Sequence, residues 1–194
     1  VSKVCNIRMV PIATDIITSE LTGRPSPVPM LKEQSIPYYG VKEAVFPFNM
    51  FPEVDPLLGP EMRSTGEVLG LSTYYGEAFY KAQEATQTSL PLSGTVLISV
   101  NRKDKDEVVE IGKLFHECGF KILATEGTCR LINEAGIPAE RVNKLQEGRP
   151  NILDLITNGK IDLIVNSPVG KDSAHDDSYL RKAAIKGKIP YMTT

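Results

Sequence analysis

The second half of the chain repeats one pattern, in which a short continuous apolar run is followed by a longer stretch with helical spacing. Continuous apolar runs are typical of strands that are buried on both faces. They occur at 95–100, 120–124, 161–166 and 189–192, with a short extended segment at 141–145. Apolar residues at helical spacing occur at 105–118, 128–136, 151–157 and 178–186. Strands and helices that alternate over such short distances require a parallel sheet with right-handed crossovers. We therefore predict an α/β fold with a parallel, doubly wound sheet.

The first half is rich in proline, which predicts a peripheral layer with many loops. Its pattern favours helices over 1–22, with a break at Pro11, and over 74–86, and a strand over 38–48. The motif Ser64-x-x-Glu67 fits the spacing of a capping box, which marks the start of a helix.

The segment Leu90-Pro-Leu-Ser-Gly94 has the composition of a linker between domains. We place a domain boundary there, with a first domain over 1–90 and a second over 94–194.

A glycine-containing turn, Thr125-Glu-Gly-Thr128, joins the strand predicted at 120–124 to the helix that follows. Such a turn directs free backbone N–H groups and two hydroxyls to one point beyond the strand, which suits a phosphate. The alternative is that Thr125 and Thr128 only cap the helix. The residues of the turn leave both interpretations open.

Polar side chains also follow the other predicted strands. In sheets of this class, ligands bind beyond the carboxyl ends of the strands, so these side chains are expected to converge. The candidate set is Ser99, Lys105, Thr125, Gly127, Thr128, Lys144, Asn166 and Ser167. Each residue alone is usually an ordinary surface or capping residue. Two lysines, several hydroxyls and a glycine turn at one edge favour an anion that carries hydroxyls, such as a monophosphorylated nucleotide or sugar.

Composition excludes several classes of protein. The 194 residues are 41% hydrophobic with a formal net charge of −2, which argues against nucleic acid as the main partner. No apolar run approaches the roughly 20 residues of a membrane span, and the first residues lack the apolar core of a signal peptide. The three cysteines have no metal-ligand spacing, so we expect reduced thiols, a cytoplasmic location and no metal site.

Several motifs together resemble the large subunits of the bacterial carbamoyl phosphate synthetase family. They are Tyr38-Tyr-Gly-Val-Lys-Glu-Ala-Val-Phe-Pro-Phe-Asn-Met-Phe-Pro52, Val54-Asp-Pro-Leu-Leu-Gly-Pro-Glu-Met-Arg-Ser-Thr-Gly-Glu67, Ala124-Thr-Glu-Gly-Thr128, Asn143-Lys-Leu-Gln-Glu-Gly-Arg-Pro150 and Asp162-Leu-Ile-Val-Asn166. The resemblance covers essentially the whole chain. It implies that 1–90 are the loop-rich tail of the second ATP-grasp half and that 94–194 are the allosteric domain, whose fold is shared with methylglyoxal synthase.

The resemblance also implies the activity of the intact subunit. That activity is the synthesis of carbamoyl phosphate from bicarbonate, ammonia and ATP, for pyrimidine and arginine synthesis. It implies a small glutaminase subunit as partner, Mg²⁺ or Mn²⁺ and K⁺ with the ATP, and assembly into homo-oligomers. The ATP-grasp ligands of the family precede the region matched here, and the family domain continues past Thr194. We therefore expect a fragment that has no catalytic residues and no cofactor of its own.

The allosteric domain of the family binds the inhibitor UMP and, competitively, IMP. Its binding residues match six of the candidates that the topology had already selected: Ser99, Lys105, Thr125, Thr128, Lys144 and Asn166. The chain departs from the family at Glu126, where the family often has His, and near Pro168, where it often has Thr. An acid beside a phosphate would weaken binding unless it points away.

The family also binds the activator ornithine. The matching residues are a carboxylate at Glu43 and the last-strand residues Tyr191 and Thr193. Met192 replaces an Asp that some members have, which puts activation by ornithine in doubt.

Two other functions are weighed against this one. A lyase like methylglyoxal synthase would use a histidine, and His175-Asp176 lies in the corresponding loop. That enzyme also needs an Asp as base, and Glu147-Gly-Arg-Pro150 stands at this place. The third possibility is an assembly module that binds no ligand.

Overall fold

The structure is a computed structural model that describes residues 2–33, 35–51, 58–86, 89–167 and 171–193. Pro168, at which the sequence departs from the family, lies outside these ranges. For Asn49, Arg102 and 171–177, which include His175 and Asp176, the structure describes the backbone alone.

The chain forms seven α-helices and seven strands within these ranges. In the first part these are α1 (Ser2–Cys5), α2 (Met9–Thr22), β1 (Tyr39–Val45), β2 (Gly66–Ser72) and α3 (Tyr75–Ala85). Then follow β3 (Gly94–Val100), α4 (Lys105–Glu117), β4 (Phe120–Thr125), α5 (Glu126–Glu134) and β5 (Ala139–Val142). The last are α6 (Ile152–Thr157), β6 (Leu163–Ser167), α7 (Lys171–Lys186) and β7 (Tyr191–Met192).

The described chain divides into two compact units. Unit 1 contains 1–43 and 68–85, and unit 2 contains 44–67 and 86–194. The domain boundary expected at 90–94 stays a prediction.

Unit 1 is held together by close packing between a strand and a helix. Gly70 in β2 is buried, and a Cβ placed on it would lie 2.0 Å from the carbonyl oxygen of Ala78 and 2.7 Å from the amide nitrogen of Ala82 in α3. Only a residue without a side chain allows the strand and the helix backbone to approach so closely. Elsewhere in the unit, the Tyr38 hydroxyl donates to the carbonyl oxygen of Val4.

Unit 2 contains a five-stranded sheet in the order β5-β4-β3-β6-β7, and all its neighbouring strands are parallel. Side chains on one face form a core with apolar residues of α4 and α5, among them Val108 and Ile132. Side chains on the other face pack with α6 and α7, among them Ile156 and Leu180. Helices therefore cover both faces, and the predicted α/β fold with a doubly wound parallel sheet is confirmed.

The order of the strands reverses between β3 and β6. From β3 the chain runs outward through β4 to β5, and it then returns to the other side of β3 to form β6 and β7. Sheets of this kind bind ligands beyond the carboxyl ends of the strands at such a reversal.

The capping box predicted at Ser64-x-x-Glu67 is wrong, because this segment leads into β2. The amide of Thr65 donates to the carbonyl oxygen of Val45 at 2.8 Å, so a partner strand distant in sequence decides the conformation. The break predicted at Pro11 is also misplaced. The helix α2 already begins at Met9, since a proline in the first turn lacks an N–H that would be unpaired there in any case.

The helix predicted over 178–186 is longer than its pattern indicates. α7 begins at Lys171, and its first seven residues are mostly polar, so no apolar spacing marks that part.

We predict that Gly70→Ala destabilises the chain strongly, whereas Gly66→Ala in the same strand does not. The new Cβ at 70 would collide with backbone atoms of α3, which cannot rotate away, while a Cβ at 66 would meet nothing within 4 Å. Overpacking of this kind costs about 1–3 kcal/mol or more. The denaturant midpoints of the two variants measure the difference, and equal midpoints would contradict the packing described here.

Candidate functional site

Three of the predicted site residues lie side by side at the carboxyl edge of the sheet. Ser99 pairs with Asn166, and Ile98 pairs with Ala124, which places Thr125 beside Ser99 on its other side. Side chains at a common register position in parallel strands share a face. Ser99, Thr125 and Asn166 therefore form one polar row at the end of β3, β4 and β6. The last two are buried, and Ser99 is half-buried.

Ser167 is one residue further along β6, so it belongs to the opposite face of the sheet. Its buried hydroxyl accepts hydrogen bonds from the backbone N–H of Asn101 at 3.1 Å and from the Asn101 amide Nδ2 at 3.2 Å. The structure thus separates Ser167 from the polar row and joins it to a residue that the sequence analysis missed. The sequence offers one signal for this residue. An asparagine directly after a strand is typical of a turn in which its side chain makes a hydrogen bond to the backbone two residues on.

The N-terminus of α5 lies at the same edge. Thr125 is its N-cap, with an extended backbone, and makes no side-chain capping hydrogen bond. Thr128, in the first turn, is 1% exposed, and its hydroxyl oxygen has no hydrogen-bond partner among the described residues. Neither threonine therefore caps the helix through its side chain within the described residues, so capping alone does not explain them.

Lys105 and Gly127 are brought together from different helices. Lys105 is the first residue of α4. A Cβ placed on Gly127 would lie 2.8 Å from the Nζ of Lys105. The ammonium group thus lies over the first turn of α5. Gly127 does not have a positive φ, and the atom nearest to a Cβ placed on it is the end of the flexible Lys105 side chain.

The electrostatics of this point favour an anion. The N-terminus of a helix carries a partial positive charge, and the Lys105 ammonium adds a full positive charge beside it. These two positive charges repel each other, whereas a phosphate between them would be attracted by both.

Lys144 lies in the loop after β5, two residues beyond Val142, which pairs with Thr125. Its side chain is exposed, and its backbone N–H donates to Glu147 Oε2 at 3.0 Å. The structure therefore places Lys144 at the carboxyl edge of the sheet, on a turn in which the Glu147 carboxylate accepts a hydrogen bond from its backbone N–H.

Glu126, the acid expected to oppose a phosphate, forms an ion pair with Arg141. Its Oε2 lies 3.4 Å from the guanidinium of Arg141 on β5, and both side chains are exposed. The guanidinium places a positive charge beside the negative charge of Glu126 and so offsets part of it at the start of α5.

Asn166 also connects to a residue that was predicted for another ligand. Its Nδ2 donates to the hydroxyl of Tyr191 in β7 at 2.7 Å. Burial raises the pKa of the Tyr191 phenol, while the hydrogen bond from Asn166 opposes the rise. The hydroxyl therefore stays neutral at physiological pH and can accept this hydrogen bond.

The other residues expected to bind ornithine are placed as follows. Thr193 is exposed just after β7 in unit 2, and Glu43 is half-buried in β1 in unit 1.

Within the described ranges, no cluster of three or more His, Cys, Asp or Glu side chains could hold a metal ion. Within the same ranges, no helix is both long enough and apolar enough to cross a membrane.

Comparison with known proteins gives a consistent result. Residues 107–193 match the family described as MGS-like domain. A carbamoyl phosphate synthase large chain from Gemmatimonas aurantiaca is 45% identical over 194 residues, which are 100% of this chain and 18% of that protein.

Two further relatives are named as C-terminal sections of the same large chain. The protein from Aquifex aeolicus is 48% identical over 163 residues, covering 84% of this chain and 30% of the relative. The protein from Methanopyrus kandleri is 52% identical over 155 residues, covering 79% of this chain and 29% of the relative. This chain thus spans less than a third of each relative. It belongs to the carbamoyl phosphate synthase large-chain family and corresponds to the C-terminal part of these proteins, with the MGS-like domain.

Proposed function

We propose that unit 2 is a regulatory domain that binds UMP and, in competition with it, IMP. The observation that carries this proposal is the ammonium of Lys105 over the first turn of α5. That turn also contains Thr128, whose buried hydroxyl has no hydrogen-bond partner among the described residues. A phosphate at this point would receive hydrogen bonds from the backbone N–H groups of α5 and a charge-assisted contact from the lysine.

The polar row extends from this point across the sheet. In the proposed complex, Ser99 and Asn166 contact the ribose or the base, since they lie one and two strands away from Thr125. Lys144 reaches the phosphate from its exposed loop. A nucleoside monophosphate has this combination of one anionic end and several hydroxyl and amide groups.

We infer the role of the intact large chain from its relatives. It would act as a ligase that makes carbamoyl phosphate from bicarbonate, ammonia and ATP, for pyrimidine and arginine synthesis. It would use Mg²⁺ or Mn²⁺ and K⁺ with the ATP, work with a small glutaminase subunit and form homo-oligomers. In this proposal the chain described here regulates that activity and has no active site of its own.

Ornithine is the second proposed effector, with Tyr191 and Thr193 of unit 2 as binding residues. Its support is the resemblance of these positions to the family, and Met192 departs from it.

We predict that Lys105→Ala and Lys144→Ala each weaken UMP binding about ten- to a hundredfold, because losing a hydrogen bond to a charged group typically costs about 1.5–3 kcal/mol. Calorimetry at low salt measures the affinity, and the salt dependence should flatten in both variants. Lys113→Ala is the matched control, since Lys113 is an exposed lysine further along α4, 3.9 Å from Glu117. Folded variants of both site lysines that bind UMP as the parent does would show that the site is elsewhere.

We predict that Gly127→Ala weakens UMP binding by displacing Lys105. The methyl group would take the place of the ammonium, and the flexible lysine would swing away without disturbing the fold. Gly76→Ala is the matched control, because Gly76 is also the second residue of its helix and a Cβ there would meet nothing within 4 Å. In a Lys105→Ala background, Gly127→Ala should cause little further loss of affinity. A full further loss in that background would mean that the methyl group acts on the ligand directly.

We predict that the chain does not convert dihydroxyacetone phosphate to methylglyoxal. The lyase needs an Asp as base, whereas this chain has Glu147, whose carboxylate accepts a hydrogen bond from its own turn. The assay follows methylglyoxal formation, with His175→Ala as the comparison. Turnover by the parent that disappears in this variant would contradict the prediction.

A further inference from the structure

A set of hydrogen bonds joins the loop after β3 to the last residue of β6, at the reversal of strand order. The backbone N–H and the side-chain Nδ2 of Asn101 both donate to Ser167 Oγ, at 3.1 and 3.2 Å. Ser167 is the last residue of β6, and Asn101 directly follows β3. We call these bonds the Asn101–Ser167 clasp.

Asn101 also organises the turn that follows it. Its Oδ1 accepts a hydrogen bond from the backbone N–H of Lys103 at 2.6 Å, and its Nδ2 donates to the carboxylate of Asp104. One side chain thus fixes a single turn of 3-10 helix over Arg102–Asp104 and ties it to the neighbouring strand.

The turn leads directly into α4, whose first residue is Lys105. The direction in which Lys105 leaves the backbone therefore depends on how this turn is held. A charge-assisted contact needs its groups held to within about 0.5 Å, and positioning of that quality comes from the residues that support the contact.

We propose, on the basis of the function proposed above, that Asn101 and Ser167 are positioning residues for the anion site. They hold the start of α4 so that the Lys105 ammonium lies over the first turn of α5. In this role Ser167 acts through Asn101 and not on the ligand directly. Its oxygen accepts both hydrogen bonds from Asn101, and its side chain belongs to the face opposite Ser99, Thr125 and Asn166.

The binding experiment is a double-mutant cycle with UMP, measured by calorimetry at low salt. Asn101→Ala and Ser167→Ala should each weaken UMP binding about three- to tenfold and flatten its salt dependence, as the loss of a well-placed cation would. Ser167→Thr, which keeps the hydroxyl, should restore the affinity. In a Lys105→Ala background, Asn101→Ala should change the affinity by less than about twofold, since residues that act through one another are not additive.

Asn133→Ala is the matched control. The Asn133 side chain, in α5, also makes hydrogen bonds to the backbone, to the carbonyl oxygen and from the amide of Ala139, both at 3.0 Å. Ala139 is the first residue of β5, so these bonds lie at the amino-terminal end of that strand, away from the carboxyl edge. This variant should lose stability and keep its affinity for UMP. A parental affinity in Asn101→Ala, or an undiminished effect of Asn101→Ala without Lys105, would overturn the positioning role.

A measurement without ligand separates this inference from the proposed function. In NMR spectra of the free protein, Asn101→Ala should shift the amide resonance of Gly127, which Lys105 overlies, whereas Asn133→Ala should leave it in place. If the parent does not bind UMP, the proposed function is wrong and this shift alone decides whether the clasp positions Lys105. An unchanged Gly127 resonance in Asn101→Ala would overturn the inference.

Discussion

The parallel register of β3, β4 and β6 is the constraint on which the candidate site depends. Parallel strands pair residue for residue, so Ser99, Asn166 and Thr125 reach the end of the sheet in one row. Most of the residues before them in each strand are apolar and pack between the two layers of helices. Polar groups are thereby confined to the edge of the sheet, beyond the apolar core, where even the buried Asn166 has a hydrogen-bond partner in Tyr191. The same geometry that forms the core thus also gathers the site.

The charge at this edge differs from that of the whole chain. The chain carries a formal net charge of −2, yet the first turn of α5 has the partial positive charge of a helix N-terminus and the ammonium of Lys105 above it. The carboxylate of Glu126 would cancel part of this field if it were alone, but Arg141 lies 3.4 Å away. Local arrangement, rather than net charge, therefore determines which ligand the edge attracts.

Much of the fold of unit 2 could be predicted because its strands are continuous apolar runs and its helices have regular apolar spacing. The predictions that failed did so for separate physical reasons. Thr65 joins Val45 in a ladder, and a capping motif cannot reveal a partner 20 residues away. The start of α7 is polar, so its helix has no apolar spacing to detect. Pro11 is tolerated within α2 because the first turn needs no N–H from it.

The site was predictable to the extent that topology gathers residues, and no further. The sequence places Asn166 and Ser167 together at the end of one strand, but the alternation of side chains sends them to opposite faces. One then belongs to the polar row, and the other holds Asn101. The sequence marks Gly127 as part of the turn, but it does not show that the Nζ of Lys105, from another helix, lies next to it. Residue type and strand order identify which side chains reach the edge, whereas register and the hydrogen bonds between loops decide which of them can face a ligand.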